Sequence, residues 1–306
     1  MPPVRSLPFR RLKSSQLKLF VILAYTDWLL HSLFFRAFST YLPTMKKLLS
    51  TSIFLACSLL LTAVQGAELG DFYNLGSRPE ETAVRVGFIA LDAPRYQGSD
   101  EQKVTLVPGI FLHASNGLFA DPFNGVGYSF DPKGDLNYGV RANFETGRAV
   151  EAALPGFEKI KARVNPGAFA NYAVNDKLTL KSALRLGVGD GADGSVLNVG
   201  ASYKVYNENY VSVALNASVK YANSSYMQSY FGVSASQSAT SGLKAYQPSA
   251  GFSMAQVGLT AGFPISRQIY IFSSASVQRL LGDAANSPLA KKQNQVSAFV
   301  GSVYSF

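Results

Sequence analysis

From residue 82 onward, apolar and polar positions alternate along the chain in segments of roughly ten residues, the length with which a tilted strand crosses a bilayer. Clusters of Gly, Asn, Asp, Ser and Pro separate the segments, as turns between strands require. The clearest segment runs from Lys177 to Val188. Leu178, Leu180, Leu184, Leu186 and Val188 share one face, while Lys177, Thr179, Lys181 and Arg185 share the other. Likewise Val140, Ala142 and Phe144 oppose Arg141, Asn143 and Glu145, and Val199, Ala201, Tyr203 and Val205 oppose Asn198, Ser202 and Lys204. Val211, Val213, Leu215, Ala217 and Val219 oppose Ser212, Asn216, Ser218 and Lys220. One such strand fits a soluble sandwich as well as a membrane barrel. A set whose second faces are all small, amidic or charged fits a barrel with a wet or hydrogen-bonded interior. No apolar run in this region is long enough for a spanning helix.

The pattern predicts strands near 84–91, 104–113, 117–121, 125–130, 136–146, 163–174, 178–189, 196–206, 209–220, 249–263, 268–281 and 295–306. The expected fold is all-β, an antiparallel transmembrane barrel over residues 82–306. It has about twelve strands, or ten if the weak first four do not all form. An even count brings both termini to the periplasmic side. Tight turns at 131–135, 175–176, 207–209 and 266–267 fall on that side, and the longer connections 92–103, 147–162, 221–248 and 282–294 fall outside. Residues 67–81 have little periodicity and read as a periplasmic N-terminal extension.

Ahead of the barrel, Met45-Lys46-Lys47 opens a basic region, Leu48 to Val64 is an apolar run, and Val64-Gln65-Gly66 prepares a cleavage before Ala67. That is the layout of a secretory signal peptide over residues 45–66. A lipoprotein signal at Cys57 fits less well, because the apolar run continues through Leu59, Leu60 and Leu61. Leu19 to Phe35 is apolar but holds Asp27 and His31 and is short for a span. Residues 1–44 read as a misassigned upstream extension, the alternative being an unusually long leader. This region also explains the net charge of +9: eight of the 28 Lys and Arg but one of the 19 Asp and Glu lie in residues 1–66. The remainder holds 20 against 18, so a nucleic-acid role argued from charge fails. The single cysteine also lies there, and the barrel forms no disulfide.

Candidate chemistry in the barrel is sparse. His113 is the only histidine after residue 66, with Ser115 close behind it. Hydrolases pair a histidine with a hydroxyl or carboxylate, but a strand-end histidine is the better reading, and no enzymatic activity is expected. Asp92, Asp100 and Glu101 share one outer connection and Asp190 and Asp193 another, without the spacing of a calcium loop. They read as solvated turns, and no metal or cofactor is expected. More informative is the inward face, where Arg141, Glu145, Arg163, Lys181, Arg185, Lys204 and Lys220 fall together. Such an interior either pairs its cations with a few acids and stiffens the barrel, or favours anionic solutes. The connection from Tyr221 to Gln247 carries Tyr226, Met227, Tyr230, Phe231 and Tyr246. It either folds over the mouth or presents a contact surface.

The final run, Asn294 to Phe306, alternates except at Phe299 and Val303 and ends on an aromatic residue. It resembles the closing strand of bacterial outer-membrane barrels, with Phe306 as the assembly signal. Tyr96-Gln-Gly-Ser-Asp100, Gly125-Val-Gly-Tyr-Ser-Phe130, Tyr226-Met-Gln-Ser-Tyr-Phe-Gly-Val-Ser234 and Arg279-Leu-Leu-Gly-Asp-Ala-Ala-Asn-Ser-Pro288 resemble the MipA/OmpV family of outer-membrane proteins, over roughly residues 83–306. The resemblance implies the outer membrane of a Gram-negative bacterium, with outer-membrane lipid, lipopolysaccharide and the barrel-assembly machinery as partners. It further implies a non-enzymatic scaffold that links a membrane-bound lytic transglycosylase to a murein synthase. A narrow pore for small solutes or antibiotics, and a surface adhesin, remain as alternatives, since fold does not fix function.

Overall fold

The computed structural model describes residues 82–145, 156–157, 160, 163–187, 194–208 and 210–306. The leader, the 67–81 extension, Asp190 and Asp193 lie outside the described residues. Twelve strands follow in chain order: β1 (Ala83–Pro94), β2 (Gln102–His113), β3 (Leu118–Asp121), β4 (Gly125–Ser129), β5 (Leu136–Glu145) and β6 (Arg163–Ala173), then β7 (Leu178–Gly187), β8 (Gly194–Glu208), β9 (Val211–Ala222), β10 (Gly251–Pro264), β11 (Ile269–Leu280) and β12 (Asn294–Ser305). Each pairs antiparallel with its chain neighbours, and β12 pairs with β1 from Arg85↔Ser305 to Asp92↔Ala298, closing the barrel. Closure is what lipid demands, because hydrocarbon cannot satisfy an open strand edge. Every segment predicted from alternation falls on a strand, with ends shifted by at most three residues. The twelve-strand expectation holds, including the weak first four.

The alternation has its expected physical result. On β7, Lys181, Ala183 and Arg185 are buried while Leu180, Leu184 and Leu186 are exposed, so the apolar face is the outer one. Aromatic rings gather where the wall meets the interfaces. Phe130 lies 5.7 Å from Tyr128 and 5.5 Å from Tyr138 at the short-turn end, and Tyr221 lies 5.5 Å from Phe252 at the long-loop end. Phe252 and Phe263 are both exposed near opposite ends of β10. At about 3.3 Å per residue and a tilt of about 40°, the rings stand about 28 Å apart along the barrel axis, close to the height of a barrel's apolar band.

The β3–β4 hairpin is short, pairing with β2 only at Leu112↔Ala120 and His113↔Phe119, so its tip at Phe123 stops partway along the wall. The β8–β9 connection is a two-residue turn closed by Glu208↔Val211, and Tyr210 occupies it with φ of 64°. That left-handed conformation suits Gly, and for a tyrosine it costs about 1–2 kcal/mol.

Candidate functional site

The barrel interior is occupied by two blocks, one at each end of the strands. At the long-loop mouth the chain leaves β9 and turns into helix α1 (Ser224–Phe231). Asn223 starts the helix. Its side-chain oxygen accepts from the backbone N–H of Tyr226 and of Ser195, both at 3.0 Å, which ties the helix start to β8. Tyr226, Met227, Tyr230 and Phe231 are all buried, packing with Val196, Ala222, Met254 and Leu280 from the ends of four strands. Gly194 permits this approach, because a Cβ there collides with the backbone of Tyr226. Beyond α1 come a second, exposed helix, α2 (Ala235–Ser241), and the Val233↔Tyr246 bridge. A single turn, α3 (Gly282–Ala285), packs beside α1. Ser287 Oγ donates to the carbonyl of Phe231 at 2.6 Å, fixing the far end of α1.

A buried carboxylate joins α1 to the wall. Glu145 ends β5, opposite Arg163 at the start of β6. Arg163 donates to Glu145 Oε2 through Nη2 at 2.9 Å and Nε at 3.1 Å. Tyr230 Oη donates to Glu145 Oε1 at 2.6 Å, and Asn165 Nδ2 also donates to the carboxylate. Both carboxylate oxygens are therefore engaged, in charge-assisted bonds that are stronger than neutral ones. Tyr226 stacks on Tyr230 at 4.4 Å between ring centroids and accepts from Gln97 Nε2 at 3.1 Å. Helix α1 thus lies inside the mouth, with its rings committed to the barrel.

Nearer the short-turn end, the interior is apolar on one side. Phe111 from β2, Phe272 from β11 and Phe123 at the β3–β4 tip pack with Ile89, Val107 and Val303, and Phe299 lies against them. Ring centroids sit 5.2 Å apart for Phe123 and Phe299 and about 6 Å for Phe111 and Phe272, in tilted or edge-on contacts that each add about 0.5–1.5 kcal/mol beyond burial. Gly301 leaves room for the Phe272 ring to lie against the strand.

The charged positions anticipated on the inward face are placed as follows. Arg141, Glu145, Lys181, Arg185 and Lys220 are buried, and Arg163 is nearly so. Arg141 Nη1 donates to Asn124 Oδ1 at 3.3 Å, and its guanidinium lies 5.8 Å from the Phe169 ring centre. Lys220 stands opposite Asn198, also buried. Lys204 departs from the others. It is exposed, at the short-turn end of β8 beside a register shift between Lys204 and Tyr206. The shift lies after it: pairing with β9 runs unbroken from Val196↔Ala222 to Lys204↔Ala214, which keeps Lys204 on the same face as Asn198 and Ser202, and its exposure reflects its place near the strand end. His113 lies 3.2 Å from Asp121, whose carboxylate also accepts from the backbone N–H of Phe123 and Asn124 at 2.8 Å each. Asp121 organises the hairpin tip, a role alternation gave no means of seeing. In the outer connections Glu101 pairs with Arg95 at 2.9 Å and Asp100 with Lys291 at 3.4 Å. Among the described residues no three metal-ligating side chains gather.

Tyr246 secures the outer connection from the other side, donating to the backbone carbonyl of Asp283 at 2.9 Å. Burial, and then the nearby Asp283 carboxylate, raise its pKa above the ordinary 10.0. A raised value favours the neutral phenol in the fold, so this contact contributes fully below pH 10 and is lost as pH rises through the higher folded value. A tyrosinate absorbance titration, differenced between wild type and Tyr246→Phe, is expected to show a midpoint above 10.

A closed antiparallel barrel with its apolar face outward and aromatic rings at both rims defines an outer-membrane protein of a Gram-negative bacterium. The chain belongs to the family described as MltA-interacting protein MipA, whose model matches residues 86–306. No curated protein sequence matches it. Among solved structures, it is similar to the NanC porin at 9% identity, covering 74% of this chain and 100% of that one with a TM-score of 0.35. It is also similar to an outer-membrane channel from Pseudomonas putida F1 at 8% identity, covering 76% and 100% with a TM-score of 0.39. The N-terminal barrel domain of Pseudomonas aeruginosa OprF matches at 10% identity, covering 72% and 97% with a TM-score of 0.24.

Proposed function

We propose that this barrel is a non-enzymatic scaffold that meets murein-processing enzymes, a lytic transglycosylase and a murein synthase, at its short-turn, periplasmic end. The family description supports the transglycosylase as one partner. The observation that carries the reading is the occupied interior: α1 fills the mouth and the phenylalanine cluster fills part of the opposite half. A barrel packed in this way does its work on its surfaces. Gly242 follows α2 with open space around it and accepts an affinity tag. Mild-detergent purification from cross-linked envelopes is expected to recover the transglycosylase or the synthase. Recovery of an intact barrel without either enzyme transfers the role to a pore.

That second reading, a narrow path for small anionic solutes or antibiotics, has one observation in its favour. Among the described residues four cations are buried, Arg141, Lys181, Arg185 and Lys220, against two buried acids, Glu145 and Asp121. Unequal charge of this kind draws anions where a path exists.

Phe306 acts in this reading as the signal for barrel assembly. It is 78% exposed and touches the ring of Tyr304 at 5.4 Å, so the finished fold has little need of it. Phe306→Ala is expected to leave the refolded barrel's stability unchanged while lowering its amount in outer-membrane fractions several-fold.

A further inference from the structure

We propose that Tyr210 is a protein-contact anchor, presented to an extended polypeptide segment of the periplasmic partner; the assignment rests on the scaffold reading. Three observations converge on the β8–β9 turn. Tyr210 holds φ of 64° in a two-residue turn, in a slot that glycine fills without strain. Its side chain is 86% exposed, more than any other large apolar or aromatic side chain described, so its ring does little within the fold to offset that strain. Strained residues held at exposed tips are where binding function concentrates, and tyrosine is among the residues that dominate protein contacts.

The third observation concerns the adjoining strand. The β7–β8 ladder begins only at Leu178↔Tyr203, with one further bond from Lys204 N–H to the Lys177 carbonyl at 2.8 Å. Tyr206, Asn207 and Glu208 pair with β9. On their other side they have no strand partner among the described residues, and all three are exposed. An unpaired edge next to an exposed aromatic ring fits a partner that adds a strand and receives the ring in a pocket. A membrane role fits less well. Tyr128, Tyr138, Tyr203, Phe263 and Tyr304 already supply rings at this rim from ordinary strand positions, whereas Tyr210 stands at the tip beyond β9.

The test uses the full barrel in nanodiscs and a purified membrane-bound lytic transglycosylase. Tyr210→Gly is expected to unfold at higher denaturant concentration than wild type, because the strain is gone, yet to bind the enzyme at least tenfold more weakly. Tyr210→Phe keeps both ring and strain and is expected to bind as wild type. Arg267→Gly, in the β10–β11 turn, serves as a same-end control with unchanged affinity. Wild-type affinity in Tyr210→Gly overturns the anchor and leaves the scaffold standing. No binding by the wild type overturns the scaffold reading and the anchor with it. A photo-cross-linking residue at position 210 that reacts only with lipid, with the enzyme bound, assigns Tyr210 to the membrane interface and overturns the proposal.

Discussion

Glu145→Ala is expected to destabilise the barrel by about 3–5 kcal/mol, read as a lower midpoint in denaturant-induced unfolding. The carboxylate is buried and accepts from Arg163, Tyr230 and Asn165. Removing it strands the Arg163 cation, whose side chain is only 11% exposed. A charge left in that position keeps its desolvation penalty and loses its compensation. The loss is therefore expected to shrink when the cation is removed as well: Glu145→Ala with Arg163→Leu should regain much of the stability. Equal losses in the single and double variants would mean that the pair is not energetically coupled. The same substitution removes the wall contact of Tyr230, so protease access to residues 224–231 should rise in Glu145→Ala and return toward wild type in Glu145→Gln.

Phe272→Ala is expected to cost a similar amount, about 3–5 kcal/mol. Phe272 has no exposed surface and touches Phe111, Phe123 and Phe299, so truncation opens a void that three rings border. Phe272→Leu, which fills most of that space, should lose less. A much smaller loss for the alanine variant would show that the cluster collapses onto the gap.

Much of this fold was legible because a strand's period is two and the outer face meets a uniform apolar solvent. What alternation could not reveal lies where the interior stops being polar. Phe299 and Val303 break the pattern of β12, and Ile89, Leu91 and Phe272 sit beside outward apolar residues; all face inward, and Phe299, Val303, Ile89 and Phe272 belong to the phenylalanine cluster. The exceptions in the sequence were thus the signal for the block inside the barrel. Glu145 and Tyr230 are 85 residues apart, and no local pattern joins a strand end to a loop helix at that distance. The register shift after Lys204 was equally hidden, because a bulge leaves no mark on composition. Tyr210 carried a weak signal, an Asn-Tyr pair where a two-residue hairpin turn favours Asn-Gly.

Single-channel recording of the purified wild-type barrel in planar bilayers decides whether its interior is closed. With α1 seated in the mouth and the phenylalanine cluster beneath it, no steady conductance is expected at moderate voltage, and at most brief openings. A steady, anion-selective conductance through the wild-type protein would contradict it and make the buried cations the lining of a working pore.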